Sequence, residues 1–472
     1  MQAGPAELAR RRFHGFVFER LGGIFPEVGI PCIMWLAPAA AAALAAGAGH
    51  AAEPAGLHEA LERLTRDGKF SGAVVVRGAE GVQFARGYGM ADPFTGRAFT
   101  PETPADSASL AKPFTAGAVL LLARDGRIDL DAPVQRYLPG YPHAQATLRH
   151  LLAHSAGLPV EAMVEPITGK SNEMFIDEIR TRGLAPLFPP GTAFIYCNLC
   201  YTTLALLIER VTGTPYVDFV RRSLALPPGV SIRPPRLADW TGRAIGYRRL
   251  PDGRLERADS AENELFYGAA NFSISASQLA RWGAEWWQQR LRPIRPTATS
   301  PAMIGGSMSG LTWGSWYCAQ TRLQCHYLGH HEGFHHMLYW DAERRISVAM
   351  ISNNTLAPHL QQRVQRALVA FAEGREAAGR QELEAELLDV PVTAGTYSIG
   401  TDAPVAVTSE NRRMWVARGG IRYLAYPVSE GIRYIPGLDV YIAGAPDGGL
   451  RWLGLYEDAA ASPRQVAGDG AG

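Results

Sequence analysis

Lysine is almost missing from this chain. Only Lys69, Lys112 and Lys170 occur among 472 residues, and 46 basic residues less these three leaves 43 arginines. Against 45 acidic residues the formal net charge is +1, which denies the protein the positive field that a polyanion needs and argues against a nucleic-acid partner. Cysteine is also scarce. Cys32, Cys197, Cys200, Cys318 and Cys325 are too few and too unevenly placed for a disulfide scaffold. There is no phosphate-binding loop and no dinucleotide fingerprint, and around Gly305 to Gly310 the spacing is wrong for a Gly-x-Ser-x-Gly elbow. No cofactor and no metal is implied. What remains is an ordinary globular composition, 47% hydrophobic and 19% charged, long enough for two or three domains. Codon usage in a GC-rich genome accounts for the shortage of lysine as such. Each lysine that is kept still raises the question of whether an amine able to lose its proton is required, because arginine cannot supply one.

The first 52 residues read as a signal peptide or N-terminal anchor. Val28 to Gly49 carries no charge, Pro38 to Ala48 is alanine-rich, and small residues near Gly49 offer a cleavage site. Arg10-Arg11-Arg12-Phe13 resembles a twin-arginine signal only weakly, and Met34 is an alternative start. An uncleaved stretch of this length would nearly span a bilayer. Each alternative puts the rest of the chain outside the cytoplasm, in a bacterial periplasm, with membrane anchoring only through this segment.

Residues 53–374 form a mixed domain. Ser71 to Gly78 and Val82 to Tyr88 signal a hairpin, Ser109 to Asp125, Leu148 to Ser155 and Tyr201 to Thr212 have helical spacing, and Ile346 to Ser352 followed by Pro358 to Ala372 reads as strand then helix. Strands at both ends with helices between them predict an α+β layer whose sheet joins the two ends of the domain. Residues 375–391 read as a helical linker. From 392 to 460, short β-rich runs separated by Gly, Pro, Asp and Asn predict a small antiparallel sheet or barrel, and 461–472 a disordered tail. Cys318 and Cys325, six residues apart, would close a hairpin as a disulfide in an exported protein. Cys197 and Cys200 lack the second pair or thioredoxin-like context that redox or zinc use requires.

Ser109-Leu110-Ala111-Lys112 opens a helical run. A spacing of three places hydroxyl and amine on one face, the helix N-terminus favours negative charge on the serine oxygen, and a desolvated lysine becomes a neutral amine able to accept the serine proton. Asp106 to Ala116 and Leu148-Arg149-His150-Leu151-Leu152-Ala153-His154-Ser155-Ala156-Gly157-Leu158-Pro159 together resemble the serine β-lactamase and penicillin-binding-protein family. The nearest branch is that of class C β-lactamases, D-alanyl-D-alanine carboxypeptidases and esterases. Pro190 to Tyr201 is similar to the family's Tyr-x-Asn segment, and Gly268 to Ala280 to a further family stretch, so the resemblance covers most of residues 55 to 372. It implies a β-lactamase/transpeptidase-like fold, with the C-terminal domain similar to the lipocalin-like appendages of some relatives. It also implies a serine hydrolase acting on a small-molecule or peptide amide or ester. Ser109 would be the acylated nucleophile, Lys112 and Tyr196 would share acid and base work, and Asn198 would orient the substrate amide or Lys112.

The family's third element, Lys-Thr-Gly or His-x-Gly on a strand lining the site, has its candidate in His331-Glu332-Gly333. In that register His331 faces the site, Gly333 admits substrate to the backbone, and the Phe334 and Ser109 N–H groups form the oxyanion hole. Relatives have more residues between this glycine and the following Gly-Phe, so either the hairpin is shortened or His330 is the counterpart. A zinc-dependent hydrolase is the rival. His331, Glu332 and His335 satisfy His-Glu-x-x-His, and five of the twelve histidines lie between 326 and 336. That motif works on a helix, where Gly333 costs about 1 kcal/mol, whereas Met337 to Ser352 reads as strand, turn, strand. On one strand His331 and His335 would stand ~13 Å apart. A non-catalytic binding protein on the same fold is the other alternative.

Overall fold

The computed structural model describes residues 55–159, 171–224, 226–232, 240–250, 253–259, 267–270, 272–286, 317–318, 324–331, 333–354, 358–384, 390–398, 404–410, 413–418, 420–427, 431–435, 438, 440–454 and 458–463. The export segment expected at 1–52 lies outside them.

Helix α1 (Ala55–Arg66) leads into strands β1 (Gly72–Gly78) and β2 (Gly81–Tyr88), the hairpin that the sequence predicts. A 3-10 turn at Ala108–Leu110 runs into α2 (Ala111–Arg124), whose residues from Ala111 to Leu122 are all buried. An all-round apolar helix belongs in a core, and Pro113 sits in its first turn, where no intrahelical donor is lost. Around α2 lie α3 (Leu148–Leu152), α4 (Asn172–Thr181), α5 (Asn198–Thr212) and α6 (Tyr216–Ser223), with the two-residue strand β3 (Ala193–Phe194) ahead of α5. Two helices differ from the sequence pattern. Helix α3 stops at Leu152 because His154 takes a positive φ of 55°, and α5 begins three residues before Tyr201 with Cys197 as its N-cap.

Helix α7 (Ala276–Trp286) precedes four strands, β4 (Tyr317–Cys318), β5 (Gln324–His331), β6 (Phe334–Asp341) and β7 (Ile346–Ser352). The sheet order is β4-β5-β6-β7-β1-β2, so the two ends of the domain do meet in one sheet, at the antiparallel β1–β7 pair. Side chains alternate between its faces. Ala73, Val75, Leu338, Trp340, Ala349 and Ile351 join the core that contains α2 and α5. Val74, Val76, Met337, Tyr339, Val348 and Met350 pack instead on α1 and on α8 (Pro358–Ala372). Burial on both faces explains why β7 is buried at every position.

The segment from His331 to His335 is therefore a hairpin, with His331 paired to Phe334 and His330 to His335. The helical face that a His-Glu-x-x-His zinc site needs does not form there, which removes the structural basis of the rival reading. His335 instead bonds through Nδ1 to Gln361 Oε1 at 2.7 Å.

After α9 (Glu376–Glu384) the chain builds eight strands: β8 (Gly395–Ser398), β9 (Val405–Glu410), β10 (Arg413–Arg418), β11 (Ile421–Pro427), β12 (Ile432–Ile435), β13 (Val440–Gly444), β14 (Leu450–Gly454) and β15 (Asp458–Pro463). Each pairs with the next, and β15 pairs with β8. The meander closes into a barrel and leaves no free edge. Its last strand takes up the first three residues of the expected tail at 461–472: Ala461 lies opposite Leu450, and Ser462 and Pro463 lie opposite Ser398 and Tyr397. A run of alanines gives no β signal by itself, and backbone pairing decides its conformation.

Candidate active site

The turn carrying Ser109 is fixed before the helix begins. Ala108 has a positive φ of 47°, its N–H donates to Asp106 Oδ1 at 2.8 Å, and Ser107 exchanges bonds with Phe272 through both backbone and Oγ. Behind it, the fully buried His336 donates from Nε2 to Asp106 O at 2.8 Å and accepts the Ser352 N–H at Nδ1. That arrangement requires a neutral ring, and burial pushes His336 down to about 4.

Ser109 stands half-buried at the mouth of this turn. One helical step on, Lys112 is 0% exposed, and its Nζ donates to Ser109 Oγ at 3.1 Å and to the Ala269 carbonyl at 2.9 Å. Gly268 O in turn accepts from Thr115 Oγ1 at 2.6 Å. The Gly268–Ala270 stretch thus supplies a second anchor for the amine, a role that sequence reasoning missed because a carbonyl carries no side-chain signal.

The third side chain is Tyr196, half-buried, with the Lys112 Nζ 4.8 Å from its ring centroid. Its Oη lies 3.3 Å from Tyr327 Oη. Asn198 opens α5 two residues further on. Between them Cys197 is disulfide-bonded to Cys200, so this Cys-x-x-Cys, which lacked a context in the sequence, staples the first turn of α5. At the other pair, Cys318 and Cys325 face each other in the β4–β5 register, and Cys325 is disulfide-bonded.

The two glycines flanking the expected third element have different surroundings. A Cβ on Gly329 would fall 2.8 Å from Ser107 O and 3.1 Å from Leu110 Cγ, so it is at Gly329 that β5 presses bare backbone against the Ser109 turn. Gly333 sits at the hairpin turn with φ +77°, where a Cβ would lie 2.6 Å from the Gly246 carbonyl carbon. It abuts that segment rather than Ser109. Phe334 is buried in the core across from His331. His330 is turned to Gln361 Nε2 and the ring of His335. Glu332 and the side chain of His331 lie outside the described residues. Gly329, rather than Gly333, is thus the strand glycine that lies against the Ser109 turn, two residues beyond Tyr327, whose hydroxyl reaches Tyr196. Among the described residues no cluster of three or more His, Cys, Asp or Glu is placed to hold a metal.

A Ser-x-x-Lys turn under the edge of a sheet that joins both ends of its domain, beside a helical cluster, is the architecture of β-lactamase/transpeptidase-like serine hydrolases. The chain belongs to the beta-lactamase family, whose profile matches residues 57–371. Over 419 residues it is 24% identical to penicillin-binding protein 4* of Bacillus subtilis (strain 168), covering 82% of this chain and 92% of that one. Over 308 residues it is 33% identical to the esterase EstB of Burkholderia gladioli, covering 55% and 78% respectively. Among solved structures, the octameric penicillin-binding protein homologue from Pyrococcus abyssi superposes with a TM-score of 0.58 at 20% identity, covering 87% of this chain and all of that one.

Proposed function

We propose that the protein is an exported serine hydrolase that cleaves a small ester or amide through an acyl-enzyme on Ser109. The observation that carries this reading is the 3.1 Å contact between Ser109 Oγ and the Nζ of a completely buried Lys112. In the productive form Lys112 is a neutral amine that takes the Ser109 proton as Oγ attacks the carbonyl carbon. The Ser109 N–H at the helix N-terminus and a backbone N–H of β5 beside Gly329 steady the oxyanion. Tyr196 and Lys112 pass the proton to the leaving group, and water then releases the acyl group from Ser109 by the reverse route, with Asn198 orienting the substrate.

Tyr327 supports an ester or uncharged amide over a carboxylate-bearing β-lactam. Where a cation would pair with a substrate carboxylate, this site offers a phenol already engaged with Tyr196. Resemblance to EstB agrees with this preference. Export is supported by the apolar segment 28–49 and by disulfide-bonded Cys197, Cys200 and Cys325, which suit an oxidising compartment.

Intact-mass measurement after treatment with a fluorophosphonate tests the mechanism: a mass increase is expected in the wild type and none in Ser109→Ala. No adduct in folded wild-type protein would sink the proposal. A panel of p-nitrophenyl esters, D-amino-acid amides and a chromogenic cephalosporin tests the substrate class, with esters or amides expected to turn over fastest.

A further inference from the structure

We propose that His154 is a positioning residue that holds Tyr196 in line with Lys112, an inference that rests on the acid–base role assigned to Tyr196 above. Three separate contacts converge on one tripeptide. The His154 carbonyl accepts the Ile195 N–H at 3.1 Å, its Nδ1 accepts the Cys197 N–H at 3.0 Å, and its ring stacks on Tyr196 with centroids 4.7 Å apart and planes 22° from parallel. The N–H groups of the residues on both sides of Tyr196, and the phenol ring itself, are thus held by one residue, through its side chain and its own carbonyl.

The arrangement comes at a conformational cost. His154 occupies the left-handed region, φ 55°, where residues other than glycine are uncommon, and it thereby ends α3 early. Its Nε2 is buried with no hydrogen-bond partner among the described residues. A buried ring with one nitrogen unsatisfied is a poor choice if stability alone is at stake, and backbone strain of this kind gathers at functional sites. Burial, helped by the charge of Lys112, keeps the ring well below the ordinary histidine range and therefore neutral. A neutral ring leaves the Nδ1 lone pair free for Cys197.

Alanine at 154 removes the bond to Cys197 and the stack on Tyr196, together with the ring's packing on Phe194 and Tyr201. Asparagine tolerates the left-handed region, and its Oδ1 can take over the Nδ1 bond to Cys197, although it cannot stack. The test measures the rate of fluorophosphonate adduct formation at Ser109 in the wild type, His154→Ala, His154→Asn, Tyr196→Phe and the double variant His154→Ala/Tyr196→Phe, with thermal unfolding of each. His154→Ala should lose roughly 100-fold in rate, as a displacement of about 1 Å in a catalytic group does. His154→Asn should recover part of that loss, and His154→Ala should cost little more in the Tyr196→Phe background, since both changes disable one group.

A folded His154→Ala or His154→Asn protein reacting at the wild-type rate overturns the inference, as does full additivity in the double variant. If Tyr196→Phe itself reacts like the wild type, the role of Tyr196 fails and takes this inference with it. A slow Tyr196→Phe beside a fast His154→Ala would remove the inference alone.

Discussion

Gly329→Ala is the substitution that decides which glycine belongs to the catalytic site. The added Cβ would lie 2.8 Å from Ser107 O, 3.1 Å from Leu110 Cγ and 3.3 Å from Leu110 N. Against an ordinary separation of about 3.5 Å, strand and turn must part by roughly 0.7 Å. Two of those three atoms are backbone and cannot swing away, so β5 itself retreats from Ser109. Overpacking of this kind costs about 1–3 kcal/mol, a drop of several degrees in Tm. The effect on chemistry is larger, because a shift approaching 1 Å between the Ser109 turn and its oxyanion donor costs on the order of 10- to 100-fold in rate. Gly333→Ala is the control. Its Cβ would meet the Gly246 backbone at 2.6 Å, at a φ of +77° that alanine resists, so it should destabilise at least as much while leaving the Ser109 turn untouched. The assay is the pseudo-first-order rate of fluorophosphonate adduct formation, read by intact mass at a temperature where circular dichroism shows all three proteins folded. Slow acylation in Gly329→Ala with normal acylation in Gly333→Ala is expected. The opposite pattern would refute the reasoning and restore Gly333 to the third element.

Lys112→Arg keeps the charge but cannot give up its proton, so turnover should fall roughly 10²- to 10⁴-fold. Lys112→Met, of similar length and without an amine, should fall as far with thermal unfolding close to that of the wild type, and an active Lys112→Arg enzyme would return the rarity of lysine to codon usage. Acid stability should follow His336. Its folded value is pushed from 6.5 down to about 4, so between those pH values the unfolded chain binds a proton that the folded one refuses. Its contribution is fully present above about pH 6.5 and declines as the pH falls, the loss reaching about 3 kcal/mol by pH 4. Urea unfolding between pH 7.5 and pH 4.5 should show this slope together with that of the other buried histidines, and His336→Gln should make it shallower.

The parts of the molecule that announce themselves in sequence are those with a local rule. Short β-branched or alternating runs mark β1, β2 and β7, helical spacing marks α2 and α8, and a spacing of three between hydroxyl and amine marks Ser109 and Lys112. What the sequence leaves open depends on contacts between distant segments. Gly329 has no local signature, since only its approach to Ser107 distinguishes it from Gly333, which sits in the more suggestive string His331-Glu332-Gly333. Tyr327 reads as one more aromatic residue in a strand until Tyr196, 131 positions away, is brought to its hydroxyl. His154 stands within a recognisable stretch, and its special position shows only in the fold, in a positive φ and in its contacts around Tyr196. The five histidines between 326 and 336 suggest metal chiefly because a hairpin looks, in one dimension, like any other run of residues.

One short pairing ties the timing of folding to the far end of the chain. Ala193 and Phe194, just ahead of Tyr196, form a parallel pair with Arg422 and Tyr423 of β11, and Phe194 belongs to the barrel's hydrophobic cluster, on which Tyr196 also packs. Tyr423 emerges from the ribosome 229 residues after Phe194, roughly 10 to 50 s later at ordinary rates of synthesis. By the last part of that interval, once β5 has been made, every residue assigned to the chemistry is present, yet the strand leading to Tyr196 still lacks its partner in β11. A chain that stopped at residue 420 would contain Ser109, Lys112, Tyr196 and Asn198 and would still lack the backbone on which Phe194 rests. Completion of the site is thus deferred until the last domain is in hand.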